Sequence, residues 1–250
     1  MIWISHRGES IDAPENTLAA FKLSLERQTE GMECDVHLTK DGKLVVCHDS
    51  STKRTCGGGD GIIIEDSTFE ELQALYASNN KPGYENEKIP LFSDTLQYLG
   101  KDRKYYIEIK KNDPAVIDAV VHELDAAGIP PEKTVIISFH SDIVRIYKQR
   151  YPEREALFLT MFYVNKNGTW WPCAEDLIKD LKAQGADGVD IHCNQVFVNK
   201  EYVDTVKAAG FKFAVWTIDS VELAKRFIDM GVDVITSNCA AKLKHEIDNQ

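Results

Sequence analysis

Lys212-Phe213-Ala214-Val215-Trp216, followed by Ser220–Met230, Gly231 and then Asp233-Val234-Ile235-Thr236, decides the architecture within one stretch. The first and last runs are short and rich in β-branched or aromatic residues, as in strands buried on both faces. The segment between them has helical periodicity and stops at a glycine, the usual way a helix ends. Strand, helix and strand in this order make one βαβ unit of a parallel sheet.

The same alternation extends back to the N-terminus. Strands are predicted at Ile2–Ser5, Met32–His37, Tyr105–Ile109, Thr134–Ser138, Ala156–Leu159 and Gly188–Ile191, in addition to the two above. Helices are predicted over Thr17–Arg27, Ser93–Leu99, Ala115–Ala127, Asp142–Arg150, Ala174–Gln184 and Lys200–Ala209, with a terminal helix around Ala240–Ile247. Eight strands with intervening helices in 250 residues predict an α/β fold, a closed TIM (β/α)8 barrel, rather than an open doubly wound sheet. The whole chain, 1–250, reads as a single domain.

One segment breaks the rhythm. Thr39-Lys40-Asp41-Gly42-Lys43 reads as a tight turn, with Leu44–His48 returning as an extra strand. With Asp41 and Gly42 as a two-residue loop, Asp35 is expected opposite His48. Residues 49–90 then form a predicted small insertion over the barrel mouth. It carries Gly57-Gly58-Gly59, a short helix near Thr68–Ala77 and a Pro82-Gly83 turn. The glycine cluster lacks the following Lys and Ser/Thr of a phosphate-binding loop.

The net charge of −11 argues against broad binding to nucleic acid or anionic membranes, although a local basic pocket can exist within an acidic protein. Met1–Ser5 lacks the basic and long apolar regions of a signal peptide, and no later segment is apolar enough to span a bilayer. A cytoplasmic protein without membrane insertion is expected. Cysteines 34, 47, 56, 173, 193 and 239 include no close pair suited to zinc or dithiol chemistry, and are expected to be free.

The charged residues inside the apolar strands carry the functional reading. Glu33 and Asp35 are two apart and share one strand face, as do Glu108 and Lys110. Three carboxylates offer hard oxygen ligands suited to Ca2+ or Mg2+. His6 and His48 are candidates for moving protons near neutral pH, while Arg7 and Lys110 can offset phosphate charge. His37, His122, His140, His192 and His245 are expected to be structural or exposed, with His140 and His192 placed to line the mouth.

His6-Arg7-Gly8, Ala13-Pro14-Glu15-Asn16-Thr17, Glu33-x-Asp35-Val36, Thr39-x-Asp41-Gly42, Val45-Val46-x-His48-Asp49 and Glu108-x-Lys110 occur in this order. Ile89-Pro90-Leu91, Ser138-Phe139 and Val215-Trp216-Thr217 extend the pattern over nearly the whole chain. The set resembles the glycerophosphodiester phosphodiesterase family. That resemblance implies a TIM barrel hydrolysing small glycerophosphodiesters to glycerol 3-phosphate and an alcohol. It further implies His6 and His48 as the acid/base pair, Glu33, Asp35 and Glu108 as metal ligands, Arg7 and Lys110 as phosphate contacts, and Trp216 as a pocket wall.

Two features depart from the pattern. Thr236-Ser237-Asn238 replaces the family's Thr-Asp ending, and Met161–Pro172 is unusually aromatic, a candidate selector of the alcohol. The alternatives are a phospholipase that releases a cyclic phosphate and a non-catalytic barrel that binds phosphodiesters. Attack by the glycerol 2-hydroxyl and direct attack by water both remain open to these residues.

Overall fold

The computed structural model describes residues 1–57, 59–164, 166 and 168–249. Gly58 of the glycine cluster and two residues of the aromatic stretch, Asn165 and Asn167, fall outside that description.

The strands are β1 (Ile2–Ser5), β2 (Gly31–Leu38), β3 (Leu44–Val46), β4 (Lys104–Ile109), β5 (Thr134–Ser138), β6 (Glu155–Thr160), β7 (Tyr163–Val164), β8 (Trp170–Trp171), β9 (Gly188–His192), β10 (Lys212–Trp216) and β11 (Val234–Ser237). Strands β1, β2, β4, β5, β6, β9, β10 and β11 pair in parallel in that cyclic order, and the β1–β2 and β1–β11 ladders close the ring. This is the TIM barrel read from the sequence. Helices α1 (Leu18–Glu26), α2 (Phe69–Gln73), α3 (Phe92–Thr95), α4 (Pro114–Ala126), α5 (Ser141–Arg150), α6 (Ala174–Gln184), α7 (Lys200–Ala208), α8 (Val221–Met230) and α9 (Ala240–Asp248) accompany it.

Strand alternation divides the core in two. Ile4, Tyr106, Val135, Ile137, Leu157, Leu159, Ala214 and Val234 fill the barrel interior. Residues of the opposite parity, among them Met32, Cys34, Ile107, Ile136, Phe213 and Ile235, pack outward with the helices. The inward parity continues past the apolar layers to Glu33, Asp35, Glu108, Asp190, Trp216 and Thr236. Because all barrel strands run the same way, their C-terminal ends deliver these groups to one end of the barrel.

Helix starts carry local signals. Thr17 caps α1 by accepting from the Ala20 amide, Thr68 and Glu71 form a reciprocal capping box on α2, and Asp113 caps α4 ahead of Pro114. The predicted helix at Thr68–Ala77 is shorter because the Ala77 amide is taken by the Glu87 carbonyl, and Asn79 and Asn80 turn into the left-handed region. Ile64, Leu72, Ala77 and Ile89 gather here with Val45 and Cys47 in a separate small apolar cluster.

The hairpin register differs from expectation by one residue. Thr39 N donates to Lys43 O at 2.9 Å and Gly42 N to Thr39 O at 3.0 Å, so Lys40-Asp41-Gly42 is a three-residue loop. Gly42, at φ 73°, supplies the left-handed turn such a loop requires. Val36 therefore faces Val46, and Asp35 O accepts from Cys47 N; Asp35 is opposite Cys47, not His48. The extra strand also ends at Val46, leaving His48 on the loop beyond it.

The six cysteines are free. No helix among the described residues is long and apolar enough to cross a membrane.

Candidate active site

His6 immediately follows β1, its amide still donating to Ser237 O at 2.8 Å. The chain then turns through Arg7 at φ 55° and Gly8 at φ 76°. A Cβ on Gly8 would lie 2.5 Å from the Ala20 backbone, so only glycine fits this passage beneath α1. The turn aims Arg7 N at Glu33 Oε2, 2.9 Å away. The guanidinium holds Glu15 through Nη1 at 2.8 Å, with Nε 3.4 Å from Asp35 Oδ2.

Glu33, Asp35 and Glu108 each present an oxygen within 4.8 Å of the others, all buried. Lys110 Nζ lies 2.7 Å from Glu108 and 3.3 Å from Asp35, and Asn16 Nδ2 donates to Asp35 Oδ2 at 2.7 Å. Burial, reinforced by the charge of Asp35, raises Glu33 well above the usual carboxylate range and pushes Glu108 up to about 8. Burial also acts to raise Asp35, but Lys110 and Arg7 outweigh it and hold this carboxyl far below its ordinary value. Asp35 Oδ1 is buried beside Lys110 Nζ but accepts no hydrogen bond among the described residues. Clustered buried acids with too little positive charge fit a divalent cation, and an all-oxygen donor set suits a hard one.

The two histidines have different partners. Asn238 Nδ2 donates to Asp219 Oδ2 at 2.6 Å, which turns Asn238 Oδ1 toward His6 Nδ1 at 2.7 Å. A carboxamide oxygen only accepts, so His6 carries its proton on Nδ1 and leaves Nε2 available, 4.0 Å from Glu33. His48 Nδ1 instead donates to Asp49 Oδ1 at 2.6 Å. Asp49 is gripped by Arg54, which also binds Glu15 at 2.6 and 2.8 Å; Glu15 in turn holds Arg7. A continuous ion network thus links the Arg7 side of the site to His48. Burial lowers both histidines, His6 to about 4 with Arg7 adding to the effect, while Asp35 and Asp49 oppose the fall at His48.

These groups surround a pocket of about 370 Å3, including its open mouth. His6, Arg7, Glu33, His48 and Glu108 line one part; Ile137, Phe139, Leu159, Asp190, Trp216 and Thr236 line the rest. Lys110 and Asp35 adjoin this lining through their contacts with Glu108 and Arg7. Trp216 packs edge-on against Phe139 and His192, with centroids 5.7 and 5.3 Å away, and its Nε1 donates to Asp190 O. His140 bonds Lys110 O, and His37 bonds His48 O, so both brace backbone near the site. His245 is tied to Asn249 at the C-terminus.

Asn238, Asp219, Arg54, Asp190 and Thr236 were absent from the sequence-derived site. Asp190 shares the inward parity of Glu33 and Asp35 but stands alone in its strand, so the paired spacing that selected those two did not mark it. Asn238 and Arg54 act from loops, whose mutual approach has no periodic signal. The aromatic stretch contains the β7–β8 hairpin and lines a different cavity: Phe162 and Trp170 flank Phe197 there, with centroids 5.0 and 4.6 Å away.

The comparisons agree over almost the full length. The glycerophosphodiester phosphodiesterase of Caldanaerobacter subterraneus subsp. tengcongensis is 32% identical over 241 residues, covering 94% of this chain and 93% of that protein. An Oleispira antarctica phosphodiesterase, solved with the product sn-glycerol-3-phosphate, superposes with a TM-score of 0.85 at 28% identity and covers 99% of this chain and 97% of that one. A glycerophosphodiester phosphodiesterase from Parabacteroides distasonis gives a TM-score of 0.79 at 26% identity, covering 99% and 97%. Residues 6–241 match the family model itself, and this chain is a member of the glycerophosphoryl diester phosphodiesterase family.

Proposed function

We propose that the protein hydrolyses glycerophosphodiesters to sn-glycerol 3-phosphate and an alcohol, with residues 1–250 acting as one catalytic domain and 49–90 inserted over its mouth. The observation carrying this reading is the placement of two differently partnered histidines, Arg7 and the Glu33–Asp35–Glu108 cluster around one pocket.

Glu33, Asp35 and Glu108 would hold Ca2+ or Mg2+. When bound, the cation supplies Lewis-acid stabilisation of charge on the phosphoryl oxygens. Arg7 and Lys110 contact the phosphoryl oxygens, and Lys110 also balances the charge of Asp35 and Glu108. His6, backed by a neutral amide, accepts the proton of the attacking hydroxyl at Nε2. His48, backed by a carboxylate that stabilises imidazolium, donates a proton to the departing alkoxide. With the glycerol 2-hydroxyl as attacker, the first step forms a P–O bond to that oxygen, breaks the bond to the leaving alcohol and yields a cyclic phosphate. Water then opens the ring, with the two histidines exchanging roles.

The reading places the enzyme in the cytoplasm with a small-molecule substrate and no nucleic-acid partner, in keeping with its acidic surface. The test is turnover of glycerophosphocholine, glycerophosphoethanolamine, glycerophosphoglycerol and glycerophosphoinositol with added Ca2+ or Mg2+, scored as glycerol 3-phosphate. Binding without product would identify a silent barrel. Cyclic phosphate released only from intact phospholipid vesicles would identify the phospholipase.

A pH prediction follows from the partner of His48. As the acid, His48 must be protonated, so turnover falls as pH rises through its pKa. Asp49→Asn removes the charge that favours imidazolium and lowers that pKa further. The alkaline limb of the kcat/KM profile should therefore move to lower pH, with the acid limb unchanged. A limb that stays in place or moves upward would contradict the assignment of His48 as acid.

A further inference from the structure

We propose that Asp190 and Thr236 recognise the free terminal hydroxyl of the substrate's glycerol and thereby select glycerol diesters over other phosphodiesters, an assignment that rests on the hydrolase reading above.

Asp190 lies on the inward face of β9 and is 1% exposed. Its in-register neighbours are Leu159 of β6 and Ala214 of β10, neither able to donate a hydrogen bond through its side chain. Oδ1 has no partner among the described residues, and neither does the buried hydroxyl Oγ1 of Thr236; both side chains line the pocket shared with His6 and Arg7. The Trp216 indole does not answer the carboxylate, since its N–H goes to the Asp190 main-chain oxygen. Burial with no opposing cation or donor pushes Asp190 up to about 7. An interior barrel position of this kind is ordinarily filled by Val, Ile or Leu, and a buried acid without a partner there is costly.

The unpaired atoms define the ligand. A carboxylate accepts and the threonine hydroxyl both accepts and donates, a pair complementary to an alcohol. Asp190 offers a phosphate no positive charge, whereas Arg7 at the other part of the pocket does. The polarity orients a glycerol phosphodiester with its phosphate toward Arg7 and its far hydroxyl toward Asp190.

The test compares kcat/KM for a glycerol phosphodiester and the matching diester of propane-1,2-diol, which keeps the 2-hydroxyl but has a methyl group in place of the terminal carbinol. Asp190→Leu should lose roughly ten- to a hundredfold on the glycerol diester, the scale of one hydrogen bond to a charged group, and much less on the propanediol diester. Thr236→Val, nearly isosteric, should move selectivity in the same direction by a smaller factor. Asp190→Leu should also melt at or above the unmodified enzyme's temperature, because it removes an unpaired buried acid; a purely structural carboxyl would give a lower Tm.

Equal losses on both diesters, or no loss on either, would overturn the assignment. If Asp190→Leu fails to fold, Thr236→Val and Asp190→Ala decide by the same comparison. Absence of turnover by the unmodified enzyme would instead fail the hydrolase reading. Calorimetric binding of sn-glycerol 3-phosphate against propanediol phosphate by the same variants would then decide the hydroxyl contact on its own.

Discussion

Replacing His6 or His48 with alanine is expected to lower kcat by roughly two to four powers of ten, the range for losing a positioned acid or base. Each imidazole has its Nδ1 committed to a fixed partner, Asn238 or Asp49, and both rings line the pocket. Each ring is thus held in one tautomer and orientation for proton transfer. In the proposed mechanism the two histidines act as a unit, so the double variant should lose less than the product of the two single losses. Circular dichroism and Tm would establish that each variant is folded. A folded His6→Ala or His48→Ala enzyme with the unmodified kcat would reject that residue's role.

Removing divalent cations should abolish turnover, and either Ca2+ or Mg2+ should restore it. Burial, with Asp35 adding to it, pushes Glu108 up to about 8 and raises Glu33 well above the usual carboxylate range, so both resist ionisation in the absence of a cation. Ligation requires the ionised forms, so metal binding should release protons and tighten as pH rises from 6 to 8. Glu33→Gln should weaken metal affinity while leaving Tm in chelator unchanged or higher, since it removes one of three crowded buried acids. Full turnover by a preparation shown to be free of metal would refute the cation requirement.

Much of this arrangement was legible in the sequence because it depends on strand parity. Glu33 and Asp35 are two apart, as are Glu108 and Lys110, and a strand buried on both faces has no reason to repeat charges except at a polar site. The strand and helix alternation likewise specified the barrel, with Ile2–Ser5, Thr134–Ser138 and Lys212–Trp216 falling where periodicity placed them.

Features depending on one hydrogen bond or on loop approach were less legible. The hairpin pairing was one residue off because a three-residue turn carries the same Asp-Gly signal as a two-residue turn; the Thr39–Lys43 bond distinguishes them. Asn238 meets His6 across a separation of 232 residues, and Arg54 meets Glu15 across 39. Only closure of the barrel and packing of the insertion bring these pairs together. Asp190 was hidden differently, as a lone acid in an apolar strand without a second charge two positions away.

The most direct measurement is a phosphorus NMR time course of the purified protein with glycerophosphocholine, run with Ca2+ or Mg2+ and in parallel with excess chelator. The expected result is conversion of the diester resonance to that of glycerol 3-phosphate only when metal is present, with a transient cyclic phosphate signal if the 2-hydroxyl attacks. A diester resonance unchanged in the metal-containing sample, or an equal rate of loss in a verified metal-free sample, would contradict hydrolysis at the Glu33–Asp35–Glu108 cluster.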